Sequence, residues 1–314
     1  VSEATLDSRE PTPEALKNPL QRYLLATRPA FLSITLAGCI LGFAAAPMFH
    51  WGLAALTLLL ALLAHAGVNV LNDYYDHLNG TDAANTQRLF PFTGGSRFIQ
   101  NRVMTPRQIL AYGLALFAAV IAGGLWLIVQ AGPGLFWIGL AGLTIGWAYS
   151  APPLKLNSRG LGEVCVAAGF LLVVAGSDYV QVGGFEVLPW VAGLPYALLV
   201  TNILYINQFP DRQADRLAGK WHWVARLEPP QAARGYWLIL TMAMAALLAA
   251  VVLGELPGLA LISLAGLLPG FKAGRILAAH AAQPARLAPA IQMSILAAHG
   301  QAVILAMVLY WSGR

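Results

Sequence analysis

Charge is what this chain has least of. Only 11% of its 314 residues are charged and 58% are apolar, against roughly 25% charged in an average soluble domain. So few charges cannot cover a water-facing surface, which excludes a soluble enzyme and a disordered regulator. Cysteine is also scarce. Cys39 and Cys165 both lie in apolar stretches, and they give neither a disulfide framework nor metal-ligand spacing. With a mean hydropathy of +0.64, the chain reads as an integral membrane protein.

A membrane-crossing helix needs about 20 predominantly apolar residues. Nine runs are candidates: Ala30–Phe49, Gly52–Leu71, Ile109–Gln130, Leu135–Ser150, Leu161–Val182, Leu188–Asn207, Tyr236–Gly254, Leu256–Phe271 and Leu287–Trp311. The fourth and eighth are short for a crossing. Glu163 and Asp178 fall near the two ends of the fifth, which places them near the interfaces. Gly132-Pro133-Gly134 breaks one long apolar stretch into a hairpin, because proline removes a donor and glycine permits the turn. The expected fold class is all-α, a multi-pass membrane bundle of about nine transmembrane helices.

The basic residues test this count independently. Arg9, Lys17, Arg22 and Arg28 precede the first span, and Arg88, Arg97, Arg102 and Arg107 follow the second. Lys155 and Arg159 follow the fourth, Arg212, Arg216, Lys220, Arg226 and Arg234 the sixth, and Lys272, Arg275 and Arg286 the eighth. Only Arg314 falls elsewhere. Under the positive-inside rule the N-terminus is cytoplasmic and the C-terminus lies outside the inner (plasma) membrane. The basic excess thus reports topology in a lipid bilayer, and no nucleic-acid partner is implied. Residues 1–22 are acidic, proline-bearing and not apolar, so they read as a mobile cytoplasmic tail and not as a signal or transit peptide. Residues 23–314 read as a single transmembrane domain.

Two loops hold acids that ordinary connectors would not. One begins Asn69-Val70-Leu71-Asn72-Asp73-Tyr74-Tyr75-Asp76 and reaches Asp82 beyond Gly80. On a continuing helix Asp73 and Asp76, spaced i,i+3, and Asn72 and Asp76, spaced i,i+4, share one face. The other repeats Asn207, Asp211 and Asp215 every four residues. Carboxylates crowded at a helix end repel one another unless a hard cation is shared. Oxygen-only ligands favour Mg²⁺, usually completed by substrate phosphates. A solvated loop with Asn/Asp caps is the plain alternative for either cluster alone. Arg88, Arg97, Lys155, Arg159, Arg212 and Lys220 are placed to clamp a diphosphate, or serve only as positive-inside charges. Thr93-Gly94-Gly95-Ser96-Arg97 could present backbone N–H groups to an anion.

These residues together resemble the UbiA superfamily of intramembrane aromatic prenyltransferases across nearly the whole chain. Asn72-Asp73-x-x-Asp76 matches the family's first aspartate element and Asp211-x-x-x-Asp215 its second, about 135 residues later. Tyr149-Ser150-Ala151-Pro152-Pro153-Leu154-Lys155, then Arg159-Gly160-Leu161-Gly162-Glu163, is similar to the family's loop after the fourth helix. Arg28-Pro29 is also typical. Gly80-x-Asp82, Gly94-Gly95-Ser96-Arg97 and Tyr179-Val180-Gln181 are similar to the menaquinone-type branch, whose enzymes prenylate 1,4-dihydroxy-2-naphthoate. Asn207-Gln208-Phe209-Pro210-Asp211 and Glu228-Pro229-Pro230 depart from that branch.

The resemblance implies a UbiA-like fold and a Mg²⁺-dependent enzyme facing the cytoplasm. It would transfer an isoprenoid chain from a polyprenyl or other allylic diphosphate to a small aromatic acceptor. Asp73, Asp76, Asp211 and Asp215 would be catalytic and, with Asp82, hold the metal. Asn72 and Asn207 would join the basic residues around the diphosphate, and Asn69, Tyr74, Tyr75, Tyr149 and Ser150 would line the substrate pocket. Interfacial anchoring is the competing role for the tyrosines. His65 and His299 read as hydrogen-bonded core residues. Other acceptors stay open: 4-hydroxybenzoate, homogentisate, haem, a chlorophyll precursor or phosphoribosyl diphosphate. A transporter would place its acids near the midplane and not at one face.

Overall fold

The computed structural model of the chain describes residues 10–313, and every regular element among them is a helix. In chain order the α-helices are α1 (Pro19–Ala26), α2 (Pro29–Ala45), α3 (Trp51–Leu78), α4 (Thr81–Ala84), α5 (Pro106–Ala131), α6 (Gly134–Ser150), α7 (Gly162–Val182), α8 (Leu188–Leu217), α9 (Trp223–Arg226), α10 (Pro229–Val252), α11 (Leu268–His280) and α12 (Ala288–Trp311). A 3₁₀ stretch over Gly258–Leu267 leads directly into α11. Each of the nine apolar runs lies on a helix. By length and composition, however, seven helices qualify as spans, and the α1–α2 pair, bent by 60°, makes an eighth. Helix α6 has only 17 residues.

Local chemistry sets the boundaries. Asn18 caps α1 by accepting from Leu20 N–H at 2.9 Å, with Pro19 at the first helical position. Thr105 and Gln108 form a capping box at the start of α5. The glycine-proline hairpin before α6 is present, and Gly134 N–H donates to the Tyr179 hydroxyl at 2.9 Å. A Cβ at position 134 would stand 2.5 Å from that oxygen.

Lipid tails are as apolar as leucine, so close packing and not water exclusion holds such helices together. Small residues permit it. A Cβ at Gly42 in α2 would lie 2.2 Å from Val174 O of α7, and one at Gly266 would lie 2.3 Å from Gln301 N of α12. The larger core joins α2, α7, α8, α10, α11 and α12 around Tyr196, Tyr236, Leu240 and Ile291. A smaller one joins α3, α5 and the loop between them around Val70, Phe98 and Ile109. The α3 and α8 helices run well past the expected ends of their spans, and that extension carries both acidic motifs on continuous helix.

One expectation needs correction. The stretch read as a mobile tail is tied down over its described part: Leu16 is buried in the smaller core, and residues from Pro19 are helical. Residues 1–9, with Arg9, lie outside the described residues, as does Arg314. Asp178, four residues from the end of α7, is 1% exposed, and neither carboxylate oxygen has a hydrogen-bond partner.

Candidate active site

The ends of α3 and α8 face each other across one cavity of about 670 Å³. From α3 it is lined by Asn69, Asn72 and Asp76, from α8 by Asn207, Gln208, Asp211 and Asp215, and from the short α4 by Thr81 and Asp82. Asp73 lies just behind this wall, 3% exposed. Both of its oxygens accept from Ser96 N–H at 3.2 Å. Gly94 N–H donates to Asp211 Oδ2 at 3.4 Å, and Asn85 Nδ2 donates to Asp211 Oδ1 at 2.5 Å. The glycine turn therefore does deliver backbone N–H groups to anions, and those anions are the protein's own carboxylates. It needs glycine at position 95, where φ is +72° and a Cβ would sit 2.8 Å from Asp82 Oδ2 and 2.9 Å from Asp73 Oδ1.

Lys220 joins the two banks. Its Nζ is 2.6 Å from Asp76 Oδ1 and 3.4 Å from Asp215 Oδ1. Burial works against its charge, but Asp76 and Asp215 outweigh burial and hold the ammonium well above the usual lysine range. His222 completes this side: Nδ1 accepts from Ala225 N–H at 3.2 Å, so Nε2 carries the proton it donates to Asp215 Oδ2 at 2.9 Å. Asp82 is pushed well above the ordinary carboxylate range by burial, and then by the charges of Asp76 and Asp73. The site thus holds more negative charge than its own cations neutralise.

Below the acids the cavity turns apolar and follows α3 down to Leu60 and Thr57. Thr57 and Asp76 are about 28 Å apart along the helix, at ~1.5 Å per residue. Its walls are cut back at Gly124, Gly139, Gly142 and Gly169, where a Cβ would meet nothing within 4 Å. Ile121 and Leu125 of α5 and Phe136 and Leu140 of α6 line the cavity and are also exposed on the outer surface. The passage therefore opens sideways between those helices.

Several expected site residues do not reach this space. Arg88 donates to Glu10 Oε1 at 2.6 Å and to Asn85 O at 2.6 Å. Arg97 donates to Asp82 O, with its Nε 3.7 Å from Glu10 Oε2. Arg212 is spent on Val224 O and Leu227 O at 2.9 and 2.8 Å. Arg159 donates to Pro153 O at 2.8 Å, and Lys155 is exposed with a left-handed φ of +43°. Tyr74 packs against the smaller core and edge-on to Tyr75, and neither lines the cavity. Ser150 is buried behind Asn72, from whose Nδ2 it accepts at 2.9 Å. Tyr149 does line the cavity, and so does Asn69, whose Nδ2 donates to Thr27 O at 3.0 Å.

Sequence reasoning missed Arg28, Asn85, Gln208 and His222 as site residues. Arg28 lines the cavity from a left-handed backbone with φ +58°, and its buried Nε has no partner. Its adjacency to Pro29 was the only signal.

Among the described residues no three His, Cys, Asp or Glu side chains converge closely enough to hold a metal by themselves. The donors nevertheless suit a hard divalent cation. All five carboxylates are buried or at the cavity wall, and all of their donor atoms are oxygens.

A family model described as the UbiA prenyltransferase family matches residues 31–310. The 1,4-dihydroxy-2-naphthoate octaprenyltransferase of Mycobacterium leprae is 27% identical over 210 residues, 66% of this chain and 69% of that protein. UbiA prenyltransferase domain-containing protein 1 of Danio rerio is 29% identical over 212 residues, 65% of this chain and 60% of that protein. Among solved structures, a UbiA homolog from Archaeoglobus fulgidus bound to DMAPP and Mg²⁺ superposes with a TM-score of 0.60 at 17% identity, covering 90% of this chain and 98% of that one. The apo structure of a UbiA homolog from Aeropyrum pernix K1 does so at 0.64 and 19%, covering 88% and 98%. These last two likenesses concern the fold.

Proposed function

The chain belongs to the UbiA prenyltransferase family, and from that membership we propose that it transfers an isoprenoid chain from an allylic diphosphate to 1,4-dihydroxy-2-naphthoate, a step of menaquinone biosynthesis. The observation that carries the proposal is the pairing of opposed acidic banks with a long apolar passage beneath them. A molecule that is doubly anionic at one end and purely hydrocarbon at the other fits that gradient. The choice of acceptor is supported by relatives named as 1,4-dihydroxy-2-naphthoate octaprenyltransferases.

Asp73, Asp76 and Asp82 on one bank and Asp211 and Asp215 on the other would hold Mg²⁺. The bound metal would supply charge neutralisation to the diphosphate as the C–O bond breaks. Lys220 and Arg28 are the basic side chains on the cavity wall, and they stabilise the same developing charge. The electron pair of the C–O bond leaves with the diphosphate, the ring carbon that bears the carboxylate bonds to the allylic carbon, and the carboxylate departs as CO₂, its bonding pair restoring the aromatic ring. The apolar walls below the acids keep water from quenching the allylic cation. The helix ends carrying the acids lead into segments rich in basic residues, which supports a site facing the cytoplasm.

The test uses purified protein in liposomes with Mg²⁺, a radiolabelled allylic diphosphate and separate acceptors: 1,4-dihydroxy-2-naphthoate, 4-hydroxybenzoate and homogentisate. Label moving onto the naphthoate alone, and not in EDTA, is the expected result. Label moving onto a different ring moves the chain to another branch. Transfer to the naphthoate that persists in EDTA removes the metal from the proposal.

A further inference from the structure

Two buried acceptor atoms on the cavity wall, and a third on the residue behind them, have no donor. Gln208 is 8% exposed and lines the cavity. Its Nε2 donates to Glu163 Oε1 of α7 at 2.9 Å, so its Oε1 must point the other way, and that oxygen accepts nothing. Glu163 Oε2 and the cavity-lining Asn207 Oδ1 are likewise buried and unpartnered. Leaving one buried polar atom unpaired costs about 1–3 kcal/mol. Two on the wall, with a carboxylate oxygen behind them, suit a ligand that brings donors.

Their height in the bundle narrows the choice. Asn207 and Gln208 precede Asp211 on α8 by four and three residues, so they stand about one turn, ~5.4 Å, below the acidic bank. Diphosphate cannot be the missing partner, because it is an anion with oxygens of its own to satisfy. An isoprenoid tail has no donors at all. A ring bearing free hydroxyls, placed beneath the diphosphate, has both the donors and the position.

We propose that Gln208, backed by Glu163 and flanked by Asn207, is the residue that selects a hydroxylated ring by accepting a hydrogen bond from one of its O–H groups. This rests on the prenyl-transfer reading and names the feature of the acceptor that the site reads. The carboxylate on the N–H side of the Gln208 amide polarises its carbonyl into a stronger acceptor. A hydrogen bond taken from a ring hydroxyl pushes electron density into the ring, which raises the nucleophilicity of the neighbouring carbon. Gln208 and Asn207 thus orient the ring and make it more reactive, while Glu163 acts through Gln208 as a positioning residue.

The experiment compares wild type, Gln208→Leu and Glu163→Gln with a labelled allylic diphosphate, Mg²⁺ and 1,4-dihydroxy-2-naphthoate, and measures competition by the same ring with both hydroxyls methylated. Wild type should bind the hydroxylated ring about tenfold better than the methylated one, the worth of one such hydrogen bond. In Gln208→Leu that preference should vanish, and KM for the ring should rise about tenfold while KM for the diphosphate moves less than twofold. Glu163→Gln should fall between. An unchanged ring KM with the preference intact overturns the proposal and leaves the prenyl-transfer reading standing. Wild type that transfers to no hydroxylated ring overturns both. If Gln208→Leu fails to insert, Gln208→Asn, which withdraws the amide by one methylene, reads the same split.

Discussion

Lys220 Nζ lies 2.6 Å from Oδ1 of Asp76, and the two residues come from opposite banks of the site. The contact fastens the loop after α8 onto the end of α3. It also puts a cation of the protein's own among carboxylates that would otherwise only repel.

Removing that cation should be felt most when no metal is present. Lys220→Met leaves Asp76 and Asp215 buried with less compensation, and breaking a buried pair from one side costs about 3–5 kcal/mol. Thermal unfolding in EDTA should show the loss as a lower Tm, and added Mg²⁺ should recover more Tm in the variant than in wild type. Equal Mg²⁺ shifts in both would mean that lysine and metal do not share the same charge.

Asp211→Ala and Asp73→Ala should each lower kcat by 10³-fold or more, about 4 kcal/mol of transition-state stabilisation. The protein should still insert, because neither side chain belongs to the packed cores. Turnover within tenfold of wild type in either variant would argue against the acidic banks as the place where the diphosphate is activated.

The cut-back wall of the passage predicts a change in tail tolerance. Gly142→Trp fills space that no neighbouring atom occupies. Octaprenyl diphosphate should lose kcat/KM steeply while dimethylallyl diphosphate, which does not reach that depth, keeps it. Parallel losses for both would show that the tail does not run past α6.

Glu10 gives the N-terminal segment a pH dependence. Burial raises its carboxyl, but hydrogen bonds from Asn101 and Arg88, with the charges of Arg88 and Arg97, hold it below the ordinary 4.5. A lowered folded-state pKa means the strap's contribution is fully present above the unfolded value and is lost as pH falls through the folded one. Amide-exchange protection over residues 10–18, relative to the intrinsic rate at each pH, should therefore be lost as pH falls below the ordinary carboxylate range. Glu10→Gln should exchange fast at pH 7 and show no such step. A segment equally protected at pH 3 and pH 7 would contradict the assignment.

The sequence made the acidic banks legible because i,i+3 and i,i+4 spacing is a property of one helix, and α3 and α8 stay helical through their motifs. The partners of those acids were not legible. Asn85 meets Asp211 across 126 positions, and His222 meets Asp215 only because the chain turns back after Leu217. Arg88, Arg97 and Arg212 misled for a related reason. A guanidinium has five donors, and here backbone carbonyls and Glu10 draw these side chains away, so closeness in sequence to an acidic motif did not become closeness to the cavity. The count of about nine spans is matched by seven long apolar helices, the bent α1–α2 pair and the shorter apolar α6, whose 17 residues made its boundaries the softest in the sequence.

The side opening between α5 and α6 changes what concentration means for this protein. A substrate entering past Ile121, Leu125, Phe136 and Leu140 arrives from the surrounding leaflet, and a product with a long hydrocarbon tail departs the same way, so neither has to be drawn through water. Encounters then happen in two dimensions and are governed by mole fraction in lipid, not by molarity. Adding inert phospholipid at a fixed bulk amount of octaprenyl diphosphate should slow turnover in proportion to the dilution, as though the substrate itself had been removed.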